Sequence, residues 1–318
     1  MRSRYHTQSK NKEGRLGSRL RLAAMLVACV AAIAAHAETL YVATLRDYAN
    51  EATGGLGGAI YKVELPSGKA TLVSNLKVGG KVPIGLTGLA IHPKTGVWYG
   101  ITAGISPNVP RSLVTVDPRT GAVTLVGDLR AEGADIRFDP KGKLYIWLNE
   151  PARLGTVDLG TGIATPIGDS GYEQTLGGGL AIDRDGNIYL SATNAAGTLD
   201  KVDPATGKVI IGPRLTGAPY ITSIHSMAFS ESGLLYGVNS TIGAPSKAAL
   251  VRIDVTTGKV TEVFGLPNDS DPLAFVPEVQ SALVSHDTGI AVVGFAAGLV
   301  LGIVLMLILR RRPSQPAR

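Results

Sequence analysis

Between residues 38 and 279 the chain alternates. Leu113-Val114-Thr115-Val116 and Val123-Thr124-Leu125-Val126 switch between apolar and polar side chains, and Asp117-Pro118-Arg119-Thr120-Gly121 stands between them. A period of two puts every second side chain on one face, the mark of a half-buried strand, so the group between reads as a turn. The phrase occurs five times. The other copies are Val63-Glu64-Leu65-Pro66-Ser67-Gly68, Val157-Asp158-Leu159-Gly160-Thr161-Gly162, Val202-Asp203-Pro204-Ala205-Thr206-Gly207 and Ile253-Asp254-Val255-Thr256-Thr257-Gly258. Their glycines lie 53, 41, 45 and 51 residues apart.

The chemistry of the phrase is that of a turn. An Asp side chain accepts hydrogen bonds from backbone N–H groups two or three residues on, proline presets the next φ, and glycine takes a left-handed conformation without steric penalty. Glu64 replaces the Asp once, and Leu159 and Val255 replace the proline, but the glycine is present in every copy. Catalysis needs one residue in one place rather than five equivalents, so these segments are structural.

A tyrosine recurs upstream of each turn, in Leu40-Tyr41, Trp98-Tyr99, Leu144-Tyr145, Ile188-Tyr189 and Leu235-Tyr236. Before most of these comes a further apolar strand (Leu89-Ala90-Ile91, Leu180-Ala181-Ile182, Met227-Ala228-Phe229) and a tight turn such as Asp183-Arg184-Asp185-Gly186-Asn187. Four short strands in roughly 40–55 residues is the content of one propeller blade. The first unit begins at Leu40-Tyr41 without its leading strand, and Leu273-Ala274-Phe275 supplies one at the far end. The sequence therefore predicts an all-β, five-bladed β-propeller over 38–279, closed by pairing the two termini in one blade, with six blades as the alternative if a long loop hides another unit. Glycine (40 residues) and sparse aromatics (5%) agree with short strands and tight turns.

Charge changes the picture mainly at the ends. The formal net charge is +6, but residues 1–37 hold 7 Lys/Arg against 1 acid and residues 310–318 hold 4 Arg. The remaining 38–309 has 20 bases against 24 acids, which removes the support for a nucleic-acid partner. A basic stretch to Arg21, an apolar run Leu22–Ala35 and the small-x-small Ala35-His36-Ala37 predict a signal peptide over 1–37. Leu26-Val27-Ala28-Cys29 also resembles a lipoprotein signal, which leaves lipidation at Cys29 open beside cleavage after Ala37. Cys29 is the sole cysteine, so cleavage after Ala37 leaves no thiol for a disulfide or metal site. Ile290–Leu309 is 20 residues without a charge and is followed by Arg310-Arg311-Arg312. That predicts a transmembrane helix after a linker at 280–289, with a cytoplasmic basic tail at 310–318. The expected product is a single-pass protein of the cell envelope with its propeller outside the cytoplasm. Gly294, Gly298 and Gly302 recur every fourth residue and form a stripe on which two such helices can associate, predicting a homodimer. Val276-Pro277-Glu278-Val279 and Asp287-Thr288-Gly289 match bacterial sorting signals too poorly to predict removal of the helix.

Through their Asp-x-Asp-Gly-Asn-hydrophobic-Tyr and Val-Asp-Pro-x-Thr-Gly phrases the units resemble the NHL-type, lactonase-like and PQQ-like repeat propellers, over nearly the whole span 38–279. The resemblance implies architecture. It leaves function open, because such folds host binders, scaffolds and enzymes. Lactonase-like enzymes hold a divalent metal through a Glu/Asn/Asp set, and no such set maps onto this chain.

Chemistry is sought where the repeats break their own pattern. At the start of the innermost strands the equivalent positions carry Thr87, Ala134, Gly178, His225 and Asp271, and the next carry Gly88, Asp135, Gly179, Ser226 and Pro272. Two further on, Ala90, Ala181, Ala228 and Ala274 face Arg137. Innermost strands line a propeller's channel, so His225, Asp271, Asp135 and Arg137, with Glu132 nearby, are the candidate ligand-binding residues of a channel mouth. Asp135 and Arg137, two apart on a strand, share a face and can instead pair with each other. Asp183-Arg184-Asp185-Gly186 lacks the spacing and the terminal Glu of a calcium loop, and His92 and His286 lack metal-ligand spacing. The sequence thus gives no catalytic set, metal site or cofactor. It favours a protein- or ligand-binding scaffold with a protein partner in the envelope, with an extracytoplasmic hydrolase or lyase as the alternative.

Overall fold

The computed structural model describes residues 39–46 and 57–276, apart from 66, 194–196, 221–223, 242 and 244. The predicted signal peptide (1–37), linker (280–289), transmembrane helix (290–309) with Gly294, Gly298 and Gly302, and basic tail (310–318) lie outside the described residues. The described chain forms strands in five antiparallel sheets arranged as blades around one axis. The innermost strands are Gly88–Ile91, Gly133–Phe138, Gly178–Ile182, Ile224–Phe229 and Ser270–Val276, and each contacts the next around a closed ring. This is the all-β, five-bladed propeller expected from the repeats. One feature was not foreseen. Lys77–Val78 and Val82–Pro83 form a small hairpin that pairs in parallel with Ala122–Asp128, giving the second blade six strands.

Closure occurs where the sequence placed it. Thr39–Thr44 pairs on one side with Ala59–Glu64 and on the other with Ser270–Val276, in the register Leu40↔Phe275, Tyr41↔Ala274 and Val42↔Leu273. Thr39 pairs with Val276, so the described chain begins and ends side by side. Both points lie on the face where innermost strands end, here called lower. The five repeated glycine turns (Asp-x-x-Thr-Gly in four copies) share that face, and the opposite face is the upper.

The five turns are alike in detail. In each, the glycine N–H bonds to the carbonyl of the residue four before it, as in Gly121 to Asp117 (2.9 Å) and Gly162 to Asp158 (2.8 Å). All five glycines have φ between 69° and 77°. Asp117 Oδ1 accepts the Arg119 N–H at 2.9 Å, and Asp158 Oδ1 accepts those of Gly160 and Thr161. Donors from Thr161 and Gly160 hold the Asp158 carboxyl below the usual carboxylate range. The glycine has a second reason to be there. A Cβ on Gly162 would stand 2.8 Å from the backbone of Gly127, at the outer edge of the preceding blade, and one on Gly121 would meet the Asn75 carbonyl at 2.3 Å. Each turn is also a docking point between blades.

The core is correspondingly divided into five apolar layers, one between each pair of neighbouring blades. The recurring tyrosines belong to these layers. Tyr99 meets Phe138 of the next blade edge-on at 5.6 Å, Tyr189 meets Phe229 at 5.4 Å, and Tyr236 meets Phe275 at 5.5 Å. The sequence period thus records a blade-to-blade contact, worth about 0.5–1.5 kcal/mol per ring pair beyond the area buried.

Candidate functional site

At the axis, the strand Gly133–Phe138 carries Asp135 and Arg137, separated by one residue and therefore on one face. Asp135 is fully buried and Arg137 is 7% exposed. The Arg137 guanidinium crosses the channel. Its Nε donates to the Met227 carbonyl at 2.6 Å, and Nη1 to the carbonyls of Leu89 (2.6 Å) and Ile136 (2.6 Å) and to Asp135 Oδ1 (3.1 Å). Nη2 donates to Ser226 Oγ at 2.7 Å and to the Leu273 carbonyl at 3.1 Å. Asp135 completes the set, with Oδ1 accepting the Ile136 N–H at 2.9 Å and Oδ2 accepting those of Leu180 (3.1 Å) and Met227 (3.4 Å). Leu89, Ile136, Leu180, Met227 and Leu273 stand on five different innermost strands. The pair therefore bonds to every blade and seals the channel.

This placement explains why one repeat carries Arg137 where four carry alanine. A propeller's axis collects backbone groups that the sheets leave unpaired, and unpaired buried groups are costly. One guanidinium offers five N–H donors in a plane, enough to serve several strands at once. Burial pushes the Asp135 carboxyl up to about 6, against the opposing pull of Arg137 and of the Leu180 and Ile136 N–H groups. Burial also lowers the Arg137 pKa, which the Asp135 charge offsets. At neutral pH the two form a buried ion pair.

Above this plug lies a recess of about 290 Å³ lined by Arg46, His225, Ser240, Ser246, Asp269 and Asp271, among others. Local backbone irregularity presents its two central side chains. The strand pairing slips between Ile224 and Ser226 and between Val42 and Thr44, which places His225 and Asp271 at β-bulges. A bulge breaks the alternation of faces and re-aims a side chain. Asp269, in the left-handed region at φ 60°, accepts the Ser246 N–H at 2.9 Å and the Ser246 hydroxyl at 3.3 Å. Burial pushes the Asp271 carboxyl well above the ordinary carboxylate range, and the negative charge of Asp135 adds to this. Burial lowers the His225 pKa. The recess therefore presents a carboxyl that holds its proton more tightly than usual beside an imidazole that holds its proton less tightly than usual.

The Asp271 shift sets a sign. A carboxyl whose folded pKa lies above its unfolded value contributes stability that is fully present below the unfolded pKa, about 3.9, and is lost as pH rises through the folded one. Asp271→Asn removes that loss. The variant is expected to melt above the parent at pH 8 and level with it at pH 4, as read by thermal unfolding across pH. A parent and variant with parallel pH profiles would show that Asp271 titrates normally.

Of the five residues singled out from sequence, His225 and Asp271 share the recess, whereas Asp135 and Arg137 do not line it and instead pair with each other at the axis. Glu132 stands apart. It is exposed, with its carboxyl against Gly104, and does not line the recess. Ser226 was missed as an axial partner. Besides accepting from Arg137, its Oγ accepts the Leu273 N–H at 3.2 Å. Asp269 and Arg46 were missed because they come from loops outside the repeat phrases. Asp183-Arg184-Asp185-Gly186-Asn187 is a hairpin turn, with Asp183 Oδ1 accepting the N–H groups of Asp185 and Asn187. His92 does the same work in its own turn, its Nδ1 accepting from Lys94 and Thr95. A divalent metal does not fit the axial residues, because both Asp135 oxygens are committed to Arg137 and backbone N–H groups. Among the described residues no group of three His, Cys, Asp or Glu is arranged to hold a metal.

Fold and site together define a five-bladed β-propeller with an arginine-sealed axis and a polar upper recess. Residues 149–274 match a family described as a repeat of unknown function, DUF6923. Similar solved structures include a chain of a nidogen/laminin complex, at 14% identity over 76% of this chain and 99% of that one, with a TM-score of 0.48. A gluconolactonase from Xanthomonas campestris shows 12% identity over 73% of this chain and 78% of that one, TM-score 0.44. Regucalcin from Agrobacterium tumefaciens, described as a calcium-binding protein, shows 19% identity over 62% and 63%, TM-score 0.39. The present chain thus spans less than two thirds of that regucalcin's length. No curated protein matches the sequence.

Proposed function

We propose that this chain is an exported, membrane-anchored propeller that binds an uncharged polar ligand, one rich in hydroxyl or amide groups, in its upper recess. The observation that carries the reading is the His225–Asp271 recess over a sealed axis. Two bulges turn a carboxyl and an imidazole into one small cavity, while the Asp135 and Arg137 charges are consumed by the fold. Such a site recognises a ligand by hydrogen bonding, which is the function proposed; a carboxylic acid beside an unprotonated imidazole is also the pairing that the hydrolase or lyase alternative would use. Export rests on residues 1–37 and anchoring on Ile290–Leu309. Because the described chain starts and ends on the lower face, an anchor joined through 277–289, at most about 45 Å when extended, turns the upper recess away from the bilayer. Association through Gly294, Gly298 and Gly302 would pair two such propellers.

Native mass spectrometry of the full chain tests this. The expected spectrum carries a small-molecule adduct, or acquires one from a panel of neutral sugars and amides, that denaturation removes and Asp271→Ala abolishes. A bare chain mass for parent and variant alike would sink the ligand-binding reading and leave a protein scaffold.

A further inference from the structure

The lower face holds a second cavity, of about 600 Å³, on the other side of the Arg137 plug. It is within the roughly 300–1,000 Å³ of ligand sites. Its wall is a ring of large apolar side chains at or next to the last positions of the innermost strands: Ile91, Phe138, Ile182, Phe229 and Phe275. All five are partly exposed. The three phenylalanines are also braced, since Tyr99, Tyr189 and Tyr236 pack against Phe138, Phe229 and Phe275. The floor makes no demand on an occupant, because every Arg137 nitrogen already donates to the protein.

The rim has one dominant sign. Asp139, Asp183, Asp185 and Glu231 border the cavity, against Arg184 alone. Two of these carboxylates are held in place by their own turns. Asp139 Oδ1 accepts from the N–H groups of Lys141 and Lys143, and Asp183 from those of Asp185 and Asn187. The Arg184 guanidinium is turned onto the Glu231 carbonyl at 2.7 Å. Lys94 and Lys141 sit on neighbouring hairpins but do not line the cavity. A pre-formed apolar cup inside a fixed acidic rim complements a ligand that is apolar at its centre and cationic at its edge.

We propose that the lower cup is a docking site for a segment of a partner protein that presents adjacent large apolar side chains flanked by Lys or Arg. The apolar residues fill the ring of Phe138, Phe229 and Phe275, and the flanking cations meet Asp139, Asp183, Asp185 and Glu231. The site is separate from the upper recess, and neither depends on the other.

The test uses the full chain in phosphatidylcholine nanodiscs and two peptides, acetyl-Lys-Leu-Phe-Leu-Lys-amide and its counterpart with Glu at both ends, titrated by calorimetry. The basic peptide is expected to bind at least about tenfold more tightly than the acidic one. Reversing the rim with Asp185→Lys and Glu231→Lys, both on surface turns, should erase or invert that preference. Phe229→Ser should weaken both peptides. Equal affinity for the two peptides, no binding by the parent, or a preference that survives rim reversal would overturn the proposal. Binding that emerges only in Leu283→Asp would assign the cup to residues 277–289 of this chain instead. A dimer dispersed by Phe229→Ser, with both peptides inert, would assign it to a second copy.

Discussion

Arg137→Leu is expected to destabilise the propeller by about 3–5 kcal/mol, the usual consequence of removing one member of a buried ion pair. The loss has two parts. Asp135, fully buried, loses the cation that opposes its desolvation and must either take up a proton or remain an uncompensated charge, and the carbonyls of Leu89, Ile136, Met227 and Leu273 lose the donor they share. Since the carbonyls belong to different blades, the damage is not confined to one sheet. Urea denaturation should show a lower midpoint with an unchanged slope, and the melting temperature should fall by roughly 6–20 °C for a domain of this size. Adding Asp135→Asn to Arg137→Leu neutralises the stranded carboxylate, so the double variant should be less destabilised than the two single losses summed. A single variant within about 1 kcal/mol of the parent would mean that water replaces the guanidinium at the axis without loss.

A chain ending at Asp269 is expected not to form the cooperative fold at all. It lacks Ser270–Val276, the innermost strand of the blade that Thr39–Thr44 must join. Leu273 and Val276 are 0% and 2% exposed, and together contribute about 3–6 kcal/mol of transfer free energy. The loss of Leu273 also uncovers Leu40 and Val42, which pack in the same layer, and the loss of the strand leaves an open edge along Thr39–Thr44. Against a total stability of about 5–15 kcal/mol, these losses are comparable with the whole. A chain ending at Val276 keeps the strand and is expected to unfold in a single sharp transition, whereas the shorter one should show a broad, protease-sensitive profile. A sharp transition in both would show that the ring does not need its terminal strand.

Much of the architecture was legible because the repeat is enforced by backbone geometry. A glycine such as Gly121 or Gly162 must adopt a left-handed φ and must also admit the neighbouring blade, so no other residue serves and the phrase keeps its form. The tyrosines persist for a similar reason, each bridging one blade to the next. Even the closing strand could be read, since one missing piece at the start matched one spare piece at the end. The extra hairpin at Lys77–Pro83 was not legible, because two-residue strands carry too few positions to show alternation.

The site was legible only as a set of exceptions. His225, Asp271, Asp135 and Arg137 stood out against glycine, alanine and threonine at equivalent positions, but the sequence did not say which of them would pair. Arg137 and Asp135 could be read as a pair because they lie two apart on one strand. That the pair would reach all five blades depends on where Leu89, Leu180, Met227 and Leu273 end up, and those are apolar residues that meet the pair only through a backbone group. Separation of the upper recess from the lower cup was likewise invisible, since both draw on the same innermost strands.

By itself, then, the sequence determined the period, the blade count, the closing strand and the residues that break the pattern. These follow from local geometry, where turn chemistry and alternation act within a few residues. The tertiary structure decided that Arg137 is a plug, that His225 and Asp271 are turned by bulges into one recess, and that Phe138, Phe229 and Phe275 close a cup on the opposite face. Those outcomes depend on distances between residues 46 to 137 positions apart (His225 with Asp271, Phe138 with Phe275), which only the closed ring brings together.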